Sequence, residues 1–319
     1  MLFRHKLAQT LSAERLQVAI AIKVRRSGGA LALVAGLFAA ALSLLPFQTA
    51  SAAGTVKVLY AGSLVNLMEH GIGPAFEKAS GATFQGYAGG SSGLANQIKG
   101  KLRQGDVFIS ASPKVNDSLV GAANGDWVGW YITFAQSPLV IGYNAASRFA
   151  ADLKSKPWYQ VLQEPGIRIG RTDPKLDPKG SLTLTLMKQA ETFYNSPGLS
   201  EKIIGAPDNP EQVLPEEALV GRLQSGQLDV GFFYSTETAD AKIPALALPV
   251  AIAPKAIYTV TILHNAPNAD GADKFVAFLL GNNGQSVMKE HGLDVRKLTL
   301  TGDSTNVPKD TQDLLTAAK

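Results

Sequence analysis

Short apolar runs alternate with amphipathic segments along the chain from residue 56 onward. In the first stretch this pattern predicts strands at residues 56–60, 82–87 and 107–110, with helices at 64–80 and 94–102 between them. Strands that alternate with helices form a mainly parallel sheet covered by the helices and joined by right-handed crossovers. The first part of the chain is therefore predicted to be an α/β lobe.

A second stretch of the same character follows an apolar segment at 138–143. It predicts strands at 167–170, 228–234, 245–253 and 258–263, and helices at 181–194, 215–224, 269–280 and 283–291. The sequence carries no internal repeat and no low-complexity segment. We therefore expect an α/β protein with two lobes.

The first 52 residues have a different pattern, which is typical of an export signal. Residues 30–45 form an apolar run without a charge, and Ala50-Ser51-Ala52 supplies a small-x-small cleavage signature. The run is shorter than the ~20 residues of a membrane-spanning helix. We predict cleavage near Ala52 and Ala53 and a periplasmic protein, with an uncleaved membrane anchor as the alternative. The basic residues of this leader are Arg4, Lys6, Arg15, Lys23, Arg25 and Arg26.

Removal of the leader changes the charge of the protein. The whole chain carries 30 basic and 26 acidic residues, but residues 53–319 carry 24 and 25. This balance gives no basic surface that would favour nucleic acid or an anionic membrane. The chain has no cysteine, which excludes disulfides, thiolate metal sites and a cysteine nucleophile. An exported protein without disulfides suits a bacterial periplasm.

Two turns, at Ser63 and Ser91, share the same order of strand, glycine, serine and helix. Ligands of open α/β sheets bind beyond the carboxyl ends of the strands, where such turns lead into helix N-termini. The two hydroxyls, the free backbone N–H groups and the helix dipoles suit a small oxyanion. The alternative is that both serines only cap their helices.

The stretch Gly89-Gly90-Ser91-Ser92-Gly93 also fits the G-x-S-x-G turn of serine hydrolases. A hydrolase needs a histidine base, and residues 53–319 offer His70, His264 and His291. However, no HGGG-type segment precedes Ser91, and His70 and His291 each precede a glycine, as is typical of helix C-termini. The sequence also has no histidine pair with metal-ligand spacing and no G-x-G-x-x-G after the first strand. A secreted hydrolase that uses Ser91 is the alternative to an anion-binding protein.

Five segments together carry a resemblance to a known family. They are Val58–Leu64, Gly90–Ile98, Asp106–Ser112, Asp173–Gly180 and Leu223–Tyr234. In this order they look like the molybdate/tungstate-binding proteins of ABC importers, and the matches extend over most of residues 53–319.

The resemblance implies a type II periplasmic binding protein fold, in which crossing strands join two lobes and an oxyanion lies in the cleft. Lobe I would comprise residues 54–135 plus 246–319, and lobe II residues 136–245. It also implies a carrier without catalysis or cofactor, which closes around molybdate or tungstate as hinge-type binders do. The loaded protein would deliver the anion to a membrane permease driven by an ATPase. We expect a monomer.

The resemblance also implies which residues bind the oxyanion. The hydroxyl donors correspond to Ser63 and Ser91, with Ser92 as the fallback if the second turn aligns one place later. In the tungstate-type branch, an aspartate in a D-P-x-G turn corresponds to Asp177. A glutamate 18 residues before a tyrosine corresponds to Glu216, before Tyr234.

The two acids, Asp177 and Glu216, would determine the choice of anion. Carboxylates repel a dianion, strongly so in a dry cleft. The resemblance implies that they instead ligate the metal centre of the oxyanion and shift it from tetrahedral towards octahedral coordination. Sulfate and phosphate cannot accept such ligands, so the site would select molybdate or tungstate.

The residues taken alone leave other interpretations open. Asp177 is a typical turn residue before a proline, and Glu216 is a typical solvated charge in the first turn of a helix. The pattern departs from the family at Lys179, where the archaeal-type turn usually has cysteine, and at 181–182, where Ser-Leu replaces Tyr-Arg. Lys179 and Glu217 are further candidates for this site. A receptor for sulfate, phosphate or an organic acid is the alternative function.

Overall fold

Ten strands form one connected sheet in residues 54–317, the part of the chain that the computed structural model describes. The predicted export leader, 1–52, lies outside the described residues. The strands are β1 (Thr55–Ala61), β2 (Thr83–Gly89), β3 (Val107–Ser110), β4 (Trp130–Tyr143), β5 (Ile169–Thr172), β6 (Val213–Leu214), β7 (Val230–Tyr234), β8 (Ala245–Ala247), β9 (Lys255–Ile262) and β10 (Asp294–Gly302).

The strand order is β2-β1-β3-β9-β4-β7-β5-β6, with β8 and β10 also paired to β4. Strand β1 pairs in parallel with both β2 and β3, which confirms the predicted β-α-β-α-β unit. Strand β5 likewise pairs in parallel with β6 and β7. The strands that meet β4 are antiparallel to it, so the sheet is mixed.

Strand β4 changes partners along its length. Residues 130–138 pair with β9 and β10, whereas residues 139–143 pair with β7 and β8. The chain therefore passes through β4 from one half of the sheet to the other, and it returns between β8 and β9. The change of partner at Pro138 and Leu139 lies close to the predicted lobe boundary, which stays a prediction.

Helices cover the sheet and connect its parallel strands. They are α1 (Val65–Leu67), α2 (Gly73–Ser80), α3 (Ser91–Lys99), α4 (Pro113–Asp117), α5 (Ala150–Ser155), α6 (Trp158–Val161), α7 (Pro178–Phe193), α8 (Leu199–Ile204), α9 (Glu216–Gln224), α10 (Ser235–Asp240), α11 (Ala269–Leu280), α12 (Asn282–Glu290) and α13 (Lys309–Ala317). A 3₁₀ turn (Gly62–Leu64) precedes α1, and a π turn (Met68–Ile72) joins α1 to α2. No helix among residues 54–317 is long and apolar enough to cross a membrane.

The structure corrects several predicted boundaries. Helices α3 and α7 begin three residues earlier than predicted, since Gly90 and Asp177 are their N-cap residues. Only residues 245–247 of the predicted strand 245–253 pair with the sheet, because prolines 249 and 254 cannot donate to a strand ladder. Strand β10 was not predicted. It is an exposed strand whose apolar residues do not alternate regularly.

The main core lies between the sheet and its covering helices. It includes Val58 and Ile109 from the parallel strands, Phe76 from α2 and Phe275 from α11, all fully buried. The rings of Phe76 and Phe275 meet edge to face with centroids 5.1 Å apart. This contact packs α2 against α11.

Candidate functional site

Buried charged side chains meet where the helices α7, α9 and α10 begin. Asp177 is the N-cap residue of α7, Glu216 is the first residue of α9, and Glu237 lies in the first turn of α10. Lys179, also in the first turn of α7, is fully buried among them. The first turn of a helix carries free N–H groups and the positive end of the dipole, which favours negative charge there.

Asp177 uses one carboxylate oxygen for the fold and leaves the other free. Its Oδ1 accepts hydrogen bonds from the Lys179 N–H at 2.6 Å and from the Thr172 hydroxyl at 3.1 Å. Its Oδ2 is buried and has no hydrogen-bond partner among the described residues. Asp177 is thus a helix cap and not merely the turn residue that the sequence alone favours, and it also presents an unpaired oxygen.

Glu216 is buried, at 4% exposure, although the sequence on its own favours a solvated charge. Neither carboxylate oxygen has a hydrogen-bond partner in the described range, and Oε1 lies 3.4 Å from Nζ of Lys179. Burial raises the pKa of Glu216 well above its ordinary value, and the negative charge of Asp177 raises it further, against the opposing effect of Lys179. Glu217, the alternative candidate, is exposed.

Lys179 and Glu237 form a buried ion pair. The Nζ of Lys179 donates to Oε1 and Oε2 of Glu237 at 2.7 and 2.9 Å. Burial alone would lower the pKa of Lys179, but the charges of Glu237, Glu216 and Asp177 outweigh burial and raise it. Lys179 is therefore charged, and its ammonium group is already engaged by protein carboxylates.

Tyr234 and Tyr258 line the same region, with ring centroids 6.2 Å apart. Both are fully buried, and burial raises the pKa of each well above the ordinary value. The hydroxyl of Tyr258 shares a hydrogen bond of 3.1 Å with the Ser63 hydroxyl. The Tyr234 hydroxyl has no partner among the described residues.

The unpaired buried atoms of the described residues are concentrated in this region. Five buried side-chain polar atoms have no hydrogen-bond partner, and four of them belong to Asp177, Glu216 and Tyr234. The fifth is Oδ1 of Asn116. Buried polar atoms are nearly always hydrogen-bonded in folded proteins, so a local group of unpaired ones needs an explanation.

The two serine turns lie against these acids. A Cβ on Gly62 would be 2.8 Å from Oε2 of Glu216, and a Cβ on Gly90 would be 2.5 Å from the Leu176 carbonyl oxygen. The N–H of Gly93 donates to that same carbonyl at 2.8 Å. Two cavities of about 340 and 350 Å³ open here, and Glu216 lines both. Segments that are distant in sequence thus meet around Glu216, and the two cavities together form a cleft between them.

Neither serine caps its helix, so the capping interpretation was wrong. Ser63 lies in the 3₁₀ turn and Ser91 is the first residue of α3, and neither side chain makes a capping hydrogen bond. The buried oxygen of Ser91 accepts from the Ala111 N–H at 3.1 Å, which leaves its O–H to donate. Ser92 is half-buried.

A histidine base is not paired with Ser91 among the described residues. His264 contacts the Asp126 carbonyl oxygen, and His291 pairs with Asp240 at 2.9 Å. His291 ends α12, as predicted, but His70 lies inside the π turn and does not end a helix. The hydrogen-bonded serine and histidine that a hydrolase requires are therefore not formed by residues 54–317.

Sequence reasoning missed Glu237 and Tyr258. Glu237 stands three residues after Tyr234, and its Oε2 accepts from the Tyr234 N–H at 2.7 Å. A glutamate three residues after a helix N-cap is a recognisable capping signal. Tyr258 is the first residue of a predicted strand, and nothing in its sequence context indicates its contact with Ser63.

The chain resembles solute-binding proteins along most of its length. Residues 56–294 match the family model described as bacterial extracellular solute-binding protein. A relative from Petrotoga mobilis, named as an uncharacterized solute-binding protein, is 29% identical over 296 residues, with 82% of this chain and 90% of the relative covered. The molybdate/tungstate-binding protein WtpA of Thermococcus kodakarensis is 26% identical, with 75% of this chain and 82% of that protein covered.

Solved structures share the fold. The periplasmic molybdate-binding protein of Azotobacter vinelandii superposes with a TM-score of 0.60 at 20% identity, covering 76% of this chain and 99% of that structure. At this identity the likeness concerns the fold, a mixed α/β periplasmic binding protein architecture. Together with the family match over three quarters of the sequence, it establishes that the chain belongs to the bacterial extracellular solute-binding proteins.

Proposed function

We propose that this protein captures molybdate or tungstate in the cleft and delivers it to the permease of an ABC importer. The observation that carries the proposal is the pair of buried carboxylates, Asp177 and Glu216, with three oxygens that have no hydrogen-bond partner among the described residues. Relatives named as molybdate/tungstate-binding proteins, and the resemblance of the five sequence segments, support the same cargo.

Metal ligation explains why an anion site contains acids. Two carboxylates would repel sulfate or phosphate in a low-dielectric cleft. A tungsten or molybdenum centre accepts further oxygen ligands, so Oδ2 of Asp177 and the carboxylate of Glu216 would bind it directly. Among residues 54–317 no group of three or more His, Cys, Asp or Glu side chains is placed to hold a bare metal ion. The cargo would therefore bring most of its own oxygen ligands.

Hydroxyl and backbone donors would hold the oxygens of the anion. Ser91 has its O–H free to donate, because its oxygen accepts from Ala111. Ser63 and Tyr234 would supply two further hydroxyls, and the first turn of α3 would supply backbone N–H groups other than that of Gly93, which is bonded to Leu176. Ser92 is the fallback donor of that turn. Neutral donors of this kind compensate the oxyanion charge without a free cation in the cleft.

The proposed transport role also gives a function to the leader and to the two halves of the sheet. Residues 1–52 would direct export to the periplasm and be removed near Ala52 and Ala53. The two halves of the sheet would be lobe I (54–135 plus 246–319) and lobe II (136–245), and would close around the anion. The loaded monomer would dock on an inner-membrane permease that an ATPase drives, and it would have no catalytic activity.

Calorimetric titration of residues 53–319 with tungstate, molybdate, sulfate and phosphate tests the proposal. We expect tight binding of tungstate and molybdate, and weak or no binding of the other two. Glu216→Gln should weaken tungstate binding, whereas Glu211→Gln, at an exposed position of the same half, should not. Absence of heat with every oxyanion would refute the proposed function. Sulfate binding as tight as tungstate binding would refute metal ligation and favour a general anion receptor.

A further inference from the structure

The buried ion pair of Lys179 and Glu237 lies next to Glu216, one of the two candidate ligand carboxylates. The ammonium of Lys179 is bonded to both oxygens of Glu237, at 2.7 and 2.9 Å, and lies 3.4 Å from Oε1 of Glu216. Lys179 is fully buried and Glu237 is 7% exposed. Charges removed from water are costly unless they are paired, so a group held at this depth is expected to have a specific role.

Glu237 is itself fixed by the backbone. Its Oε2 accepts the Tyr234 N–H at 2.7 Å in addition to the bond from Lys179. The carboxylate therefore cannot move without breaking the start of α10. Because Glu237 is fixed, the position of the Lys179 ammonium is fixed as well.

Glu216 has no comparable anchor of its own. Neither of its oxygens makes a hydrogen bond within the described residues. Its Oε2 packs against Gly62, where a Cβ would be 2.8 Å away, and its Oε1 faces the Lys179 ammonium. The Lys179 ammonium attracts the ionised form of Glu216, which is the form that can ligate a metal, and this attraction is strong in a low-dielectric site. The direction of this carboxylate is thus set by Lys179 on one side and by the Gly62 turn on the other.

We propose that Lys179 and Glu237 are positioning residues for ligand binding: Glu237 holds the Lys179 ammonium, and Lys179 holds Glu216 in the orientation that ligates the metal centre. The inference rests on the proposed function. It gives Lys179 a role through Glu216, because its donors are directed at protein carboxylates and not at the oxyanion. The effect of Lys179 on tungstate binding therefore depends on Glu216.

A double-mutant cycle tests this dependence. Tungstate affinity is measured by calorimetry for the wild type, Lys179→Met, Glu216→Gln and the double variant, after thermal melts have shown that each is folded. Loss of a residue that orients a metal ligand typically lowers affinity by about 10- to 100-fold, and we expect that loss for Lys179→Met. In the Glu216→Gln background the same change should have little further effect. Lys188→Met, at an exposed position of α7, is the matched control and should bind like the wild type.

Three results separate the possibilities. The positioning role would be refuted if Lys179→Met bound tungstate with wild-type affinity. It would also be refuted if the affinity losses of the two single variants multiplied in the double variant. In both cases the proposed function would stand. No binding of tungstate or molybdate by the wild type would refute the proposed function and this inference with it. If Lys179→Met does not fold, Glu237→Gln replaces it in the cycle: its loss of affinity must disappear in the Glu216→Gln background, and a persisting loss would overturn the inference.

Discussion

The substitution Asp177→Asn should lower ligand affinity with little change in folding stability. Oδ1 of Asp177 accepts two hydrogen bonds, from the Lys179 N–H and the Thr172 hydroxyl, whereas Oδ2 accepts none within the described residues. Asparagine caps helices about as well as aspartate. Its carbonyl oxygen can keep both bonds of Oδ1, and its amide nitrogen replaces Oδ2 without the charge.

Removal of the charge has different effects on the free and the loaded protein. In the free protein it relieves repulsion with Glu216, whose pKa is raised first by burial and then by Asp177, but it also removes the attraction of Asp177 to Lys179 and to the helix dipole. These effects oppose each other, so the free energy of unfolding should change little. In the complex, the amide nitrogen is a poor metal ligand. If the lost contact contributes as much as a hydrogen bond to a charged group, about 1.5–3 kcal/mol, tungstate affinity falls by about 10- to 150-fold.

Denaturant unfolding without oxyanion and calorimetric titration with tungstate measure the two quantities separately. A fall in affinity at nearly unchanged stability is the expected pair of results. Unchanged affinity would show that Asp177 is not a ligand, and tightened binding would show that it only repelled the anion. A large fall in both quantities would show that the fold needs the Asp177 charge, and would contradict the role of Oδ2 as a group kept only for the ligand.

Three further predictions follow from the cleft. Gly90→Ala should weaken tungstate binding in calorimetry, because φ −58° and ψ 127° suit alanine but the new Cβ would lie 2.5 Å from the Leu176 carbonyl oxygen. The free energy of unfolding of the unliganded protein should fall as pH rises from 4.5 towards the raised pKa of Glu216, since the folded state there keeps a proton that the unfolded state releases. Denaturant titrations at several pH values measure this slope. Glu216→Gln should reduce it to the contribution of Glu237, whose pKa is also raised by burial. Ser91→Ala should lower stability by about 1–3 kcal/mol in the same unfolding assay, because the buried Ala111 N–H loses its acceptor.

Each of these predictions has its own control or contrary result. Gly221→Ala adds a Cβ in open space and should leave affinity unchanged; equal losses at Gly90 and Gly221 would show that crowding against Leu176 is not the cause. A free energy of unfolding that rises with pH above 4.5 in the wild type, and no longer does so in Glu216→Gln, would contradict the raised pKa of Glu216. Esterase turnover that Ser91→Ala abolishes, with unchanged oxyanion affinity, would favour the hydrolase.

The parallel strands were predictable because buried strands leave a simple signal. Residues 56–60 and 107–110 are short, nearly continuous apolar runs, and both are strands in the sheet. Strand β10 gives no such signal, since most of its residues are exposed. The sequence predicts the start of helix α7 three residues too late. Its N-cap and first turn contain Asp177, a proline and Lys179, which are residues typical of a loop.

The candidate site was only partly accessible from the sequence. Asp177 and Glu216 were found through the resemblance, but their burial depends on how distant segments pack, which local patterns do not contain. Lys179 shows the limit most clearly. Its partner Glu237 is 58 residues away along the chain, and only the folded structure brings the two together. The two serine turns were predictable in kind, whereas their contacts with Tyr258 and Ala111 were not.

A crystal structure of the tungstate complex, with an anomalous difference map at the tungsten absorption edge, would show directly whether Asp177 and Glu216 ligate the metal centre. We expect a single strong peak in the cleft, bonded to Oδ2 of Asp177 and to the carboxylate of Glu216, with the hydroxyls of Ser63 and Ser91 on the oxygens of the anion. A tungsten peak that is absent from the cleft, or that lies beyond bonding distance of both carboxylates, would contradict this expectation.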